Sequence, residues 1–202
     1  MLTKENNNYY SESDLLNNYT TIESIIKEAL PFELLAVIGG IASGIILSYM
    51  ENIFSEIPGL LVLVPGIMSL RGNISSSLGS RLSSLIHMGL ITDIDWKNNE
   101  IIENIFGSMI LTIIISLFLG FFNNICLLFF NLNNIGCLYL ILISVFSGFC
   151  SGIILSILSI FLAVGSFKIG LDPDNILSSA IATIGDLLSI IMIFISAKMI
   201  CG

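Results

Sequence analysis

Five largely apolar stretches, Phe32 to Met50, Ile53 to Leu90, Ile101 to Phe122, Ile135 to Phe167 and Ile176 to Ile200, punctuate the chain. Each reaches or exceeds the ~18 to 20 residues that cross a hydrocarbon core as a helix. The pattern predicts an all-α integral membrane protein with five transmembrane helices. Before them, Ile22, Ile25, Ile26 and Ala29 recur at helical spacing opposite Glu23, Lys27 and Glu28. That spacing adds a short amphipathic interfacial helix over residues 20–30, ending before Pro31. Residues 1–19, rich in Asn, Ser, Glu and Tyr without periodicity, are expected to form a disordered cytosolic tail. The second stretch is too long for one simple span at ~1.5 Å per residue. It carries Pro58, Gly59, Pro65, Gly66 and Gly72, so a broken or strongly tilted helix is expected. Small residues repeat every fourth position at Gly40, Gly44 and Ser48 in the first span and at Ser144, Gly148, Gly152 and Ser156 in the fourth, which reads as close helix packing.

Composition agrees with this pattern: 55% of residues are hydrophobic, only 11% are charged, and mean hydropathy is +0.98. That leaves too little polar material to cover a soluble globule. A net charge of −8 lacks the basic footprint that nucleic acid requires and favours cationic partners. Cys126, Cys137, Cys150 and Cys201 have no CxxC spacing, so they read as small packing residues rather than a zinc site or disulfide framework. The N-terminus has no basic n-region running into an apolar h-region, so the first span is expected to direct insertion. Lys4, Lys27, Lys97, Lys168 and Arg81 fall towards one side and only Lys198 towards the other. The localisation expected is a multi-pass cell-membrane protein with its N-terminus cytosolic and its C-terminus external. An odd span count leaves no paired inverted repeat within the chain, so a symmetric path needs two copies and a homodimer is expected.

Candidate chemistry sits in the second and fifth spans. Ser69, Asn73, Ser76 or Ser77, Ser80, Ser84 and His87 advance by three or four, forming one helical face with Arg71, Gly72 and Arg81 nearby. Such a stripe is costly in lipid unless it meets water or protein, so it reads as a pore wall. The plainer alternative is serine hydroxyls bonding back to their own helix. In the fifth span, Asp186 is an intramembrane carboxylate, which costs ~2.5 to 3.5 kcal/mol on insertion scales and is by default a functional candidate. Ser178 and Ala182 share its face, and Ser179, Thr183 and Ser189 complete the candidate lining. An ion pair to Arg71 or Arg81 would explain Asp186 alone but not the stripe. Asp172 and Asp174, beside Asn175, offer hard oxygen ligands for a hydrated divalent cation, although Asp-Pro-Asp-Asn by itself is more often a turn and helix cap. Asp93 and Asp95 read as a solvated loop.

VPGIMSLRGNISSSLGSRLSS (Val64 to Ser84), followed by DPDNILSSAIATIGDLLS (Asp172 to Ser189), resembles the MgtE-type magnesium transporters, especially their solute-carrier-41-like branch. The resemblance implies a half-size prokaryotic member whose residues 31–202 form a five-helix transporter domain. It implies a homodimer with an ion path between the second and fifth helices, and it makes the acid of the GD motif, Asp186, the ion ligand. The chain departs from the solute-carrier pattern at Ser75, where an acid is usual, and at Ser179, where a proline is usual. Gating by a large cytosolic domain is not expected, because only about thirty residues precede the first span. The function so implied is divalent cation transport, Mg²⁺ being the transported ion, with no organic cofactor. A sodium- or proton-coupled exchanger and a non-transporting membrane scaffold are the alternatives. An enzyme is not expected: the GD pair is reminiscent of intramembrane aspartyl proteases, but one intramembrane acid cannot make a proton-sharing dyad.

Overall fold

The computed structural model describes residues 22–169 and 173–202. The tail assigned to residues 1–19 and Asp172 lie outside the described residues, as do the side chains of Asp174 and Ser178. The described elements are α1 (Ile22–Tyr49), α2 (Glu51–Glu56), α3 (Leu60–His87), α4 (Asn99–Phe129), α5 (Cys137–Lys168) and α6 (Pro173–Cys201). Every regular element among the described residues is a helix. Segments over Leu30–Tyr49, Asn99–Phe129, Cys137–Lys168 and Ser179–Cys201 are long and apolar enough to cross a membrane. α3, with 28 residues, has the length. Its polar stripe keeps it out of that apolar set, and it can cross only with that face covered by protein or water.

The boundaries differ from the sequence reading in three places. The amphipathic segment is not a separate element: α1 runs unbroken from Ile22 through Pro31 to Tyr49. One proline removes a single ladder bond, which a long apolar helix tolerates. The break expected within the second stretch does occur, at Pro58 and Gly59 near its start, where α2 ends and Gly59 adopts φ +92, but there is none at Pro65, through which α3 continues. Gly59 is needed twice over, for its left-handed backbone and because a Cβ there would meet Leu127 Cδ1 at 2.5 Å. Finally, α4 does not stop at Phe122. Asn123 stays helical and buried, and its Nδ2 donates to the Gly59 carbonyl at 3.2 Å, tying the α2–α3 corner to α4.

α5 packs against α3, α4 and α6, whereas α1 contacts α6 and, at its end, α2. Two apolar clusters close the ends of the bundle, one around Leu78, Leu82, Ile101, Leu155 and Ile160, the other around Leu60, Leu63, Ile67, Ile143 and Ile193. Between α4 and α5 the seam is made of small residues. The Ser144 hydroxyl donates to the Ser116 carbonyl at 2.8 Å, and Gly120 lies so close to the Ile141 backbone that a Cβ would approach its Cα to 2.5 Å. Within a membrane, where apolar burial drives helix association little, such backbone approach and hydroxyl bonding carry the packing. The small-residue stripe of α1 behaves differently: Gly39 packs on Thr183, but Gly40 and Gly44 face open space.

Candidate functional site

The polar residues of α3 divide into two directions. Ser69, Asn73, Ser77, Ser80 and Ser84 are exposed on one side of the helix, with Gly72 and Ser76 half-buried beside them. Arg71 points the other way and is 1% exposed. Its Nη2 donates to Thr112 Oγ1 at 2.6 Å, and its Nη1 occupies the space a Cβ on Gly152 would need. Arg81 begins on the exposed side and reaches across to Ser108 Oγ at 3.0 Å, with its Nε on the Ser77 carbonyl. Both arginines are thus engaged by α4 hydroxyls. Among the described residues Asp186 has neither an ion pair nor a hydrogen bond, so a lock between Asp186 and an arginine is not what joins these helices.

Asp186 is half-buried on α6 and opens into a cavity of about 430 Å³. The facing wall comes from α3, as Val64, Pro65, Met68, Ser69, Gly72 and Asn73, with Leu47 of α1 closing the side. The fold therefore brings Asp186 together with Asn73, Ser69 and Gly72. Asn73 Nδ2 lies 3.5 Å from Ser69 Oγ, and both residues also line a second cavity of about 280 Å³ towards Ile115 and Leu119. They form a polar ridge between two open volumes.

Other sequence candidates stand apart from that cavity. The Ser189 hydroxyl is buried and donates to the Gly185 carbonyl at 2.6 Å, Thr183 donates to the Ser179 carbonyl at 2.8 Å, and Ser84 donates to Ser80 at 3.0 Å. For these three the back-bonding alternative describes the hydroxyl. Ser179 is buried with an unpartnered oxygen among the described residues, and Ala182 is half-buried outside the cavity wall. Sequence reasoning missed the apolar wall of Leu47, Pro65 and Met68. Only the packing of α1 and α3 against α6 makes those residues neighbours of the acid.

One carboxylate, one amide and one hydroxyl are too few to strip a small divalent cation of its water. Among the described residues no group of three His, Cys, Asp or Glu is placed to hold a metal. The donors are all oxygen or amide, the cavity is wide, and the arrangement suits a hard cation that keeps most of its hydration shell.

A family model described as MgtE, divalent cation transporter, matches residues 64–196. The chain is 31% identical over 170 residues to solute carrier family 41 member 3 of Mus musculus, an alignment that covers 80% of this chain and 34% of that relative. It is 29% identical over 169 residues to solute carrier family 41 member 2 of Homo sapiens, covering 80% of this chain and 29% of the relative. The chain thus spans about a third of the length of the curated relatives it matches. No solved structure matches it.

Proposed function

The chain belongs to the MgtE family of divalent cation transporters, and from that premise we propose that it carries a hydrated divalent cation, Mg²⁺ foremost, through a path lined by α3 and α6. The observation that supports this most is the shared cavity of Asp186 and Asn73, a mid-helix acid of α6 facing the asparagine of α3. Five spans follow if α3 crosses with its polar face covered, and the basic residues then favour a cytosolic N-terminus. Asp172, Asp174 and Ser178 would belong to the same path near its cytosolic end.

A second copy is the natural cover. Ser69, Asn73, Ser77, Ser80 and Ser84 present an exposed polar face, and hydroxyls and amides left against hydrocarbon are costly. Pairing two chains about an axis along α3 turns those faces towards each other and towards a water-filled path. A cysteine placed at Asn73 in a cysteine-free background is expected to crosslink between copies in native membranes. One placed at the lipid-facing Phe118, 63% exposed on α4, is not. Crosslinks at Phe118 with none at Asn73 would refute an axis along α3.

Flux tests the function. Purified protein in liposomes is expected to admit Mg²⁺ down its gradient, and the rate with and without an imposed sodium or proton gradient distinguishes passive conduction from coupled exchange. No movement of any divalent cation under any gradient would favour the scaffold reading.

A further inference from the structure

The Asp186 cavity has a neighbour. Where α1 gives way to α2, a volume of about 570 Å³ is lined by Ser48, Glu51 and Ser55 together with Leu47 and Leu61. Leu47 and Leu61 also wall the Asp186 cavity. The two volumes therefore abut along a single groove between α1 and α3, with Glu51 at one end and Asp186 at the other. Glu51 is exposed. Ser55 Oγ donates to its backbone carbonyl, which leaves the carboxylate itself without a hydrogen bond or ion pair among the described residues. The lysine at this end, Lys198, sits over the Phe194 ring at 5.4 Å and lines a different cavity with Glu56. Glu51 is thus an uncompensated negative charge at the mouth of a groove whose far end holds another.

We propose that Glu51 recruits hydrated divalent cations into this groove and that the groove is the access route to Asp186 from the end of the bundle carrying α2. The proposal rests on the reading of Asp186 as the ion site. A carboxylate attracts a 2+ ion twice as strongly as a 1+ ion, so the route concentrates divalent cations before any ligand exchange takes place. The groove is flanked by Ser48 and Ser55, whose hydroxyls can bond to the ion's own waters, and its apolar walls leave those waters in place.

The test is Mg²⁺ influx into liposomes from the side carrying α2, comparing wild type with Glu51→Gln, Glu56→Gln and Asp186→Asn. One charge about 10 Å from the ion's path in a water-like medium enriches a divalent cation about fourfold at low ionic strength. Glu51→Gln is therefore expected to raise the half-saturating Mg²⁺ concentration about fourfold there, with the maximal rate unchanged. In 0.15 M salt the shift is expected to shrink below about twofold, because the charge is screened over ~8 Å. Glu56→Gln, in the other cavity, is expected to behave as wild type. Glu51→Cys in a cysteine-free background is expected to copy Glu51→Gln and to regain the low half-saturation after reaction with a sulfonate-bearing thiol reagent. An inactive Asp186→Asn beside a Glu51→Gln protein with unchanged half-saturation at both ionic strengths would overturn the route alone. A Glu51→Gln effect confined to maximal rate would overturn it too. Wild-type transport by Asp186→Asn would overturn the ion site on which the route ends.

Discussion

On the proposed function, Asp186→Asn is expected to abolish divalent cation flux while leaving the folded protein intact. The substitution keeps shape and hydrogen-bonding capacity and removes only charge. A 2+ ion held through one water layer, roughly 5 Å from the carboxylate, gains on the order of 6 kcal/mol at an effective dielectric constant of about 20. If half is lost to partial dehydration, the remainder still corresponds to about a hundredfold in occupancy. Two such carboxylates facing each other across a dimer axis would repel, and a 2+ ion relieves that repulsion better than a 1+ ion does. Folding is expected to tolerate the change because, among the described residues, no cation pairs with this acid: Arg71 and Arg81 donate to Thr112 and Ser108. Asp93→Asn serves as the control, since Asp93 is exposed and pairs with Lys168, and an exposed pair of that kind contributes little. Flux measured in liposomes, with detergent melting as the check on folding, decides the matter. Near wild-type transport by Asp186→Asn would move the ion site towards Asp172 and Asp174.

Gly152→Val is expected to lower stability by about 3 kcal/mol or more, through Arg71. A Cβ at position 152 would lie 2.5 Å from Arg71 Nη1 and 2.9 Å from Met109 Cε, so both side-chain ends have to shift, and the expected loss comes from the guanidinium being pushed off Thr112. That forfeits a hydrogen bond to a charged group, worth about 1.5 to 3 kcal/mol, and strands a buried cation. The companion change identifies the cause. Arg71→Met replaces the buried cation with a side chain of similar length and is expected to be close to neutral, and in combination with Gly152→Val it is expected to recover part of the loss. Melting temperatures in detergent report both. If the double variant is no more stable than Gly152→Val alone, the clash lies with Met109 and Arg71 is not what the glycine accommodates.

The membrane class and the long helices were legible along the chain, because lipid imposes one requirement on every spanning segment: enough apolar residues and internally satisfied backbone bonds. The two residues that meet in the cavity were legible as well. An acid is rare enough mid-span that Asp186 stood out singly, and Asn73 stood out as a member of the polar stripe of the second span. Their meeting was not, since sequence periodicity assigns a residue to a helix face but not to a neighbouring helix. The arginines illustrate the difference. Arg71 lies two positions from Asn73 and reads as part of the same polar segment, yet two residues turn a helix through about 200°. The hydroxyls of α4, Ser108 and Thr112, which accept both arginines, are ordinary serine and threonine until α3 is laid against them. The same holds for the small-residue stripes. Gly148 and Gly152 of α5 lie against the Ser116 and Arg71 side chains, whereas Gly40 and Gly44 of α1 face open space. Period-four glycines therefore identify a surface fit for close approach, and only the three-dimensional packing decides which of those surfaces this chain fills itself and which it leaves for another helix.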